Sequence, residues 1–341
     1  MEDLGLKMIL VTGNRGYIGS IMTKLLKQNS YKVRGIDVDW FKEAFLFPAS
    51  FDFEPDQQVI KDIRQITEED LESITAVVHL AGLSNDPLGE INPQFTEKIN
   101  YEATIHLAHL CKAKKVERFL FAASCSSYGR VGGGCAVSEE DLLDPRTAYA
   151  KSKVRSEKEL KKMADEHFHP ILMRCATVYG ISPKQRLDLV VNQLVAQAYV
   201  MGEISILSDG TPWRPLIHIE DFCLAFIRAL EAPLEKVHAQ VFNVGGDEEN
   251  FQIKDIGNAI QAFDPSIPIR ISNKPTPDER SYKVSFAKVK AVLNFSPRWT
   301  LQKGIQELFE GYKKYGLCLS DLQSGKFSRI QVLKSYLETR S

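Results

Sequence analysis

The sequence lacks the spacings that would tie it to a metal or to a disulfide framework. Its six cysteines, Cys111, Cys125, Cys135, Cys175, Cys223 and Cys318, include no C-x-x-C pair and no zinc-type spacing. A chain of 341 residues can bury a core without covalent staples. The cysteines therefore read as reduced thiols of a cytoplasmic protein with no metal site. An excess of one charge is also missing, because 43 Lys and Arg face 44 Asp and Glu. That balance excludes the electrostatic footprint of a nucleic-acid binder and a polybasic membrane patch, although a few local arginines can still hold a small anion. No run reaches the roughly 18 apolar residues of a membrane span. The acidic start of the chain leads into a strand pattern without a basic segment or a long apolar stretch, so no signal peptide is expected. Internal repeats and low-complexity tracts are absent.

What is present is an alternation of short apolar strands with helical patterns. Strands are predicted at 8–11, 33–38, 59–61, 76–80, 119–122 and 171–174, and helices at 17–28, 96–114 and 147–167. Thr67 and Asp70 are spaced as a capping box that would open a further helix. Such alternation predicts an α/β fold, a Rossmann-type doubly wound parallel sheet with helices on both faces. Ligands of these sheets sit beyond the carboxyl ends of the strands. After about Gly180 the pattern is interrupted by Pro183, Pro212, Pro215, Pro233, Pro265, Pro268, Pro275 and Pro277. The expected organisation is a dinucleotide-binding domain over 1–180 and a smaller, mostly substrate-binding C-terminal lobe over 181–341. The segment 241–244 is expected to return to the main sheet. The tail after about Gly316 reads as helical, with no role assigned.

The first strand ends in Thr12-Gly13-Asn14-Arg15-Gly16-Tyr17-Ile18-Gly19. Glycines here let the chain turn tightly, approach a pyrophosphate and pack the following helix on the strand, whose N–H groups then face the anion. A purely structural turn would carry the same glycines; the position between strand and helix is what points to a dinucleotide. The second strand ends in Asp37 with no basic residue directly after it. An acid at this distance accepts hydrogen bonds from the adenosine ribose hydroxyls and repels a 2′-phosphate, which favours NAD over NADP. Asp62 and Ile63, after the third strand, are further candidates, at the adenine.

Ser124 closes the fifth strand, and Tyr149 and Lys153 stand four apart on a later helix, hence on one face. A phenol is a poor base at neutral pH, and a nearby ammonium favours the phenolate. A serine hydroxyl can hold the oxygen of a carbinol undergoing hydride transfer.

With these motifs the chain resembles the NAD-dependent epimerase/dehydratase family, the sugar-nucleotide branch of the extended short-chain dehydrogenases/reductases, over roughly residues 7–315. The resemblance rests on TGNRGYIG, Asp37, VVHLAG at 77–82, Asn100, SCSSYG at 124–129 and YAKSK at 149–153. It also rests on RCATVYG at 174–180, RPLIHIEDF at 214–222 and FNVGG at 242–246. It implies that Tyr149 is the general base and acid, that Lys153 binds the nicotinamide ribose and tunes Tyr149, and that Ser124 is the catalytic serine. It implies an NAD site built from Gly13, Arg15, Gly16, Tyr17, Ile18, Gly19, Asp37, Asp62, Ile63, Leu80, Ala81, Gly82 and Asn100 together with Tyr149 and Lys153. The expected substrate contacts are Ser84, Ser126, Thr177, Arg214 and Arg280, the two arginines gripping the diphosphate of a nucleotide-linked sugar. Members commonly pair two long helices into a homodimer. Here those helices carry Ile105, Leu107, Leu110, Leu160 and Met163.

Three positions depart from the family pattern. Thr177 replaces a common Asn, Leu207 stands near a position often held by a stacking aromatic, and Cys125-Ser126 replace the Asp-Glu pair of the 4,6-dehydratases. Without that acid pair, dehydration is disfavoured. The expected reaction is epimerisation by transient oxidation of a sugar carbinol, at C4. The alternatives are a one-way C4 reductase or dehydrogenase using the same residues, and a non-catalytic dinucleotide sensor. The sensor has no need of Ser124, Tyr149 and Lys153 together. His79 reads as a structural core histidine, His218 as an orderer of a loop, and Cys125 as a small buried hydrophobe. His167 and His169 read as a surface pair.

Overall fold

A computed structural model describes residues 7–48, 50–131, 134–272 and 280–338. Residues 1–6 at the acidic start, and Pro275 and Pro277 among the predicted breaks, lie outside the described residues. The central sheet has seven strands: β1 (Met8–Thr12), β2 (Lys32–Asp37), β3 (Gln57–Ile60), β4 (Ile74–His79), β5 (Arg118–Ser124), β6 (His169–Cys175) and β7 (Val241–Val244). They lie in the order β7-β6-β5-β4-β1-β2-β3, and every pair is parallel. The doubly wound parallel sheet is as expected, and 241–244 does join its edge.

The apolar runs of the inner strands serve two faces at once. Ile9, Val11, Ala76, Val78, Leu120, Ile171 and Met173 enter one core, and Leu10, Val77, Phe119, Phe121 and Leu172 the other. Burial on both faces is why these strands lack a polar alternation. Helices α1 (Tyr17–Gln28), α2 (Ala103–Ala113), α3 (Ala148–Met163), α4 (Val190–Met201), α5 (Ile219–Glu231), α6 (Ile253–Phe263), α7 (Leu301–Tyr315) and α8 (Arg329–Glu338) surround the sheet and build the C-terminal region. A third core, including Val195, Leu216, Ile256, Ile305 and Leu308, holds α4, α6 and α7 together.

Several local expectations change. The Thr67–Asp70 capping box forms, with both reciprocal bonds, but it opens only a 3₁₀ turn at Glu68–Leu71. The predicted 96–114 helix is three helical pieces in succession: Pro93–Glu97, a π turn at Lys98–Glu102, and α2. That π turn carries Asn100. Of the apolar residues expected to serve a partner surface, Leu107, Leu160 and Met163 are buried in the subunit's own core, while Ile105 and Leu110 are half-buried. His169 is not a surface residue: it is buried and its Nδ1 lies 2.8 Å from Nδ1 of His238. Among the described residues no helix is long and apolar enough to cross a membrane, and no group of His, Cys, Asp and Glu could hold a metal.

Candidate active site

Strand order reverses between β1 and β4, and the loops that follow these strands open the crevice there. After β1 the chain turns through Gly13 with φ of +75°, where a Cβ would lie 2.9 Å from the backbone nitrogen of Ala81. Only glycine lets the two loops approach so closely. Gly19 lets α1 sit on the turn, since a Cβ there would meet the Gly13 carbonyl oxygen at 2.0 Å. Gly16 is the N-cap of α1 and supplies no side-chain cap, which leaves the first N–H groups of the helix facing the crevice.

The crevice continues into a cavity of about 520 Å³. Every expected site residue lines it except Arg15 and Asn100. Those two act from behind. Arg15 donates its backbone N–H to Asp37 at 3.1 Å, and its side chain reaches Asp39 at 3.0 Å. Asn100 is fully buried, accepts from the Leu83 N–H at 2.8 Å and donates to the Leu83 carbonyl at 3.0 Å, which fixes the turn after Gly82. The π turn is what aims Asn100 at that loop.

Asp37 ends β2 with its carboxylate toward the cavity. Burial raises its pKa, opposed by the N–H groups of Asp39 and Arg15. Asp62 caps the 3₁₀ turn Ile63–Gln65 and is held by Arg64 at 2.6 Å.

At the centre, Tyr149 on the first turn of α3 lines the cavity with Ser124. The Ser124 hydroxyl donates to Oγ of Ser126 at 3.0 Å, and it also accepts from the Ser126 N–H. Lys153 follows one turn on, buried, with Nζ 4.6 Å from the centre of the Phe121 ring and 5.8 Å from that of Tyr149. Burial pulls the ammonium pKa down to about 8. The phenol is pushed well above its ordinary value, first by burial and then by the Asp86 carboxylate, with the Ser124 hydroxyl acting in opposition. In the protein alone Tyr149 is therefore the neutral acid.

The helix that presents this pair is pinned to the sheet. Arg174 of β6 donates to Glu157 of α3 through Nε at 3.0 Å and Nη2 at 2.5 Å, and to the Tyr128 hydroxyl at 2.9 Å. Both charges of this pair are buried, so the geometry depends on the pair remaining complete. His79 lies under the site, between Thr12 Oγ1 at 2.7 Å and Thr104 Oγ1 at 2.8 Å. Burial drops its pKa to about 3. It is the neutral core histidine expected.

The other end of the cavity carries Arg214 and Arg280. Arg214 donates to the carbonyls of Trp213 at 2.8 Å and Arg280 at 2.6 Å. Arg280 is ion-paired with Asp86, which also accepts from the Thr147 hydroxyl. The sequence reading missed Asp86. Asn85-Asp86-Pro87 does carry a helix-start signal, with Asn85 capping the short helix Asp86–Gly89. Nothing local aims that carboxylate at Tyr149, however. Arg186, Asp188 and Arg329 were missed as well, and all three line the cavity. Arg186 donates to Ser84 Oγ at 2.8 Å and grips Asp188 at 2.8 and 3.1 Å.

The departures keep their direction. Cys125 is buried and its thiol donates to the Arg174 carbonyl at 3.2 Å, so no carboxylate occupies the position used by dehydratases. Leu207 is 78% exposed and offers no stacking platform. His218 caps α5, stacks on Trp299 at 3.9 Å and bonds Glu307 at 2.9 Å.

The profile of the NAD dependent epimerase/dehydratase family matches residues 9–245. The chain belongs to that family. It is an extended short-chain dehydrogenase/reductase, and its cofactor is NAD. A UDP-glucose epimerase of Bacillus subtilis, itself uncharacterized, is 26% identical over 321 residues, 87% of this chain and 95% of the relative. UDP-glucuronic acid decarboxylase 3 of Arabidopsis thaliana is 24% identical over 324 residues, 89% of each chain. The crystal structure of UDP-glucuronic acid 4-epimerase from Bacillus cereus, in complex with UDP-glucuronic acid and NAD, is 27% identical. It superposes with a TM-score of 0.75 and covers 90% of this chain and 99% of its own.

The crevice fits NAD on its own geometry. Gly13 and Gly19 leave a cradle that a Cβ would fill, α1 begins without a side-chain cap, and Asp37 lines the same crevice at the end of β2.

Proposed function

We propose that this protein is an NAD-dependent nucleotide-sugar epimerase that works by transient oxidation of a sugar carbinol, at C4. What carries the reading is the layout of one cavity. Two hydroxyls, that of buried Tyr149 and that of half-buried Ser124, stand with Lys153 at one end, and Arg214 and Arg280 line the same space. The first group suits proton movement at a carbinol. The arginines suit a diphosphate, through charge-assisted and bidentate bonds.

Bound NAD supplies the hydride acceptor and donor. Tyr149 takes the carbinol proton during oxidation and returns it during reduction. Ser124 holds the substrate oxygen and relays its hydrogen bond to Ser126. Lys153 sits behind the phenol and on the ribose side, where a positive charge favours the phenolate. Arg214 and Arg280 hold the nucleotide while the sugar presents its two faces in turn. For Arg280 this means exchanging Asp86 for the substrate. Thr177 and Ser84 face the sugar. The division at about residue 180 and a homodimer are kept as parts of this proposal, with Ile105 and Leu110 the apolar residues left for a partner face.

The kinship with a 4-epimerase and the absence of a carboxylate at Cys125-Ser126 both support epimerisation over dehydration. The test is incubation with a panel of UDP-, dTDP-, GDP- and CDP-linked sugars, with products resolved by NMR. A C4 epimer formed without net NADH is expected. Stoichiometric NADH production or consumption, or loss of CO₂ from a glucuronate, would replace the proposal with a dehydrogenase, reductase or decarboxylase.

A further inference from the structure

The residues after α7 form a strap across the cofactor side of the cavity. Leu317 and Phe327 are buried in the third core with α4 and α7. The Phe327 carbonyl accepts from the Leu187 N–H at 3.0 Å. The strap then crosses to the second core, where Leu333 is buried and Ile330 half-buried. Tyr336 packs its ring 5.5 Å from that of Trp40, which follows β2 and lines the cavity.

Arg329 lies at the crossing and is 3% exposed. Its backbone N–H donates to Asp188 at 3.2 Å, its Nη2 donates to the Lys184 carbonyl at 2.9 Å, and its guanidinium lies 4.5 Å from the centre of the Phe41 ring. Among the described residues its Nη1 has no hydrogen-bond partner. The side chain lines the cavity together with Gly13, Gly16 and Asp37. Among the described residues the one carboxylate bonded to this residue, Asp188, is already gripped by Arg186 through two nitrogens. Asp37, whose charge also reaches Arg329, is held by two backbone N–H groups. Burial, and then the charge of Arg186, lower the Arg329 pKa to about 9. A buried cation with a free donor is a costly arrangement that an anion relieves.

The only anionic group of NAD is its diphosphate. We propose that Arg329 is a cofactor-binding residue, donating from Nη1 to that diphosphate, and that the strap holds NAD in the crevice. The proposal rests on NAD as cofactor and not on which reaction the sugar undergoes. It fits a reaction that returns NAD to its starting state, because such an enzyme never needs to release it between turnovers.

The test uses the full-length protein and reads binding. NAD, ADP-ribose, adenosine and NADP are titrated by calorimetry against wild type, Arg329→Gln, Arg329→Lys and Tyr336→Ala. NAD dissociation rates are measured by displacement, and thermal unfolding is followed without nucleotide. Arg329→Gln should weaken NAD and ADP-ribose on the order of ten- to a hundredfold and leave adenosine unchanged. Arg329→Lys should recover part of the loss, and Tyr336→Ala should speed NAD release. Wild-type affinity for NAD in a folded Arg329→Gln protein overturns the proposal and makes the residue a structural pin. An equal loss for adenosine, or a loss confined to NADP, also overturns it. Should the Gln variant fail to fold, an unchanged NAD release rate in Tyr336→Ala overturns it instead. The sugar panel can succeed or fail independently of all these outcomes.

Discussion

The two ends of the cavity are built differently. The proposed cofactor end is mostly backbone: the Gly13–Gly19 turn, the 80–82 run and the open start of α1. The proposed substrate end is side chain: Arg214 and Arg280, bound to carbonyls and to Asp86. A backbone cradle is fixed by the fold, whereas charged side chains are held by partners that a ligand must displace. The first end is therefore sensitive to added atoms and the second to changed charge.

The sharpest test of this contrast is at the junction. Tyr149→Phe should lower turnover by at least about 10²–10⁴-fold while NAD affinity, measured by calorimetry, stays close to wild type. Lys153→Ala should damage both. Ser124→Ala should slow turnover with less effect on NAD. Near-normal turnover of Tyr149→Phe would dissolve the mechanism without touching the fold.

At the cofactor end, Gly13→Ala adds one methyl 2.9 Å from the Ala81 nitrogen on a residue with φ of +75°. Left-handed backbone alone costs about 1–2 kcal/mol for an L-residue. NAD binding should fall by about tenfold or more, with UDP binding little changed. Equal losses of both ligands would mean that the two ends are one cooperative unit. NADP should bind much more weakly than NAD in the wild type because of Asp37, and comparable calorimetric affinities would reject that role.

At the substrate end, Asp86→Asn removes a carboxylate that raises the Tyr149 pKa. The phenol pKa then falls, so the fraction ionised at a given pH rises. The acid limb of kcat/KM should move to lower pH, and NAD affinity should not change. An unmoved limb would detach Asp86 from the reaction. The smallest effect concerns assembly. Light scattering at micromolar concentration should give a homodimer, and a monomer would leave Ile105 and Leu110 without a partner.

Much of the fold was legible because the inner strands are short apolar runs between glycine turns and helix starts, a pattern with few alternatives. The tight turn after β1 was legible for the same reason: Gly13, Gly16 and Gly19 act through local backbone shape between a strand and a helix. Tyr149 and Lys153 share a helix face by spacing alone. The chain order of 96–114 did not reveal the π turn that aims Asn100 at Leu83, because a π turn has no composition of its own. The apolar stripe with Leu107 and Leu160 did not reveal which surface it covers.

What only the tertiary structure decided are the charge partnerships across sequence distance. Asp86 meets Arg280 from the far part of the chain, Glu157 meets Arg174, and Arg329 returns from the tail to line a cavity opened by Gly13 and Gly16. Helical and strand periods are local properties that a sequence carries on its surface. The meeting of two buried charges depends on how layers stack, and no spacing within either segment encodes that.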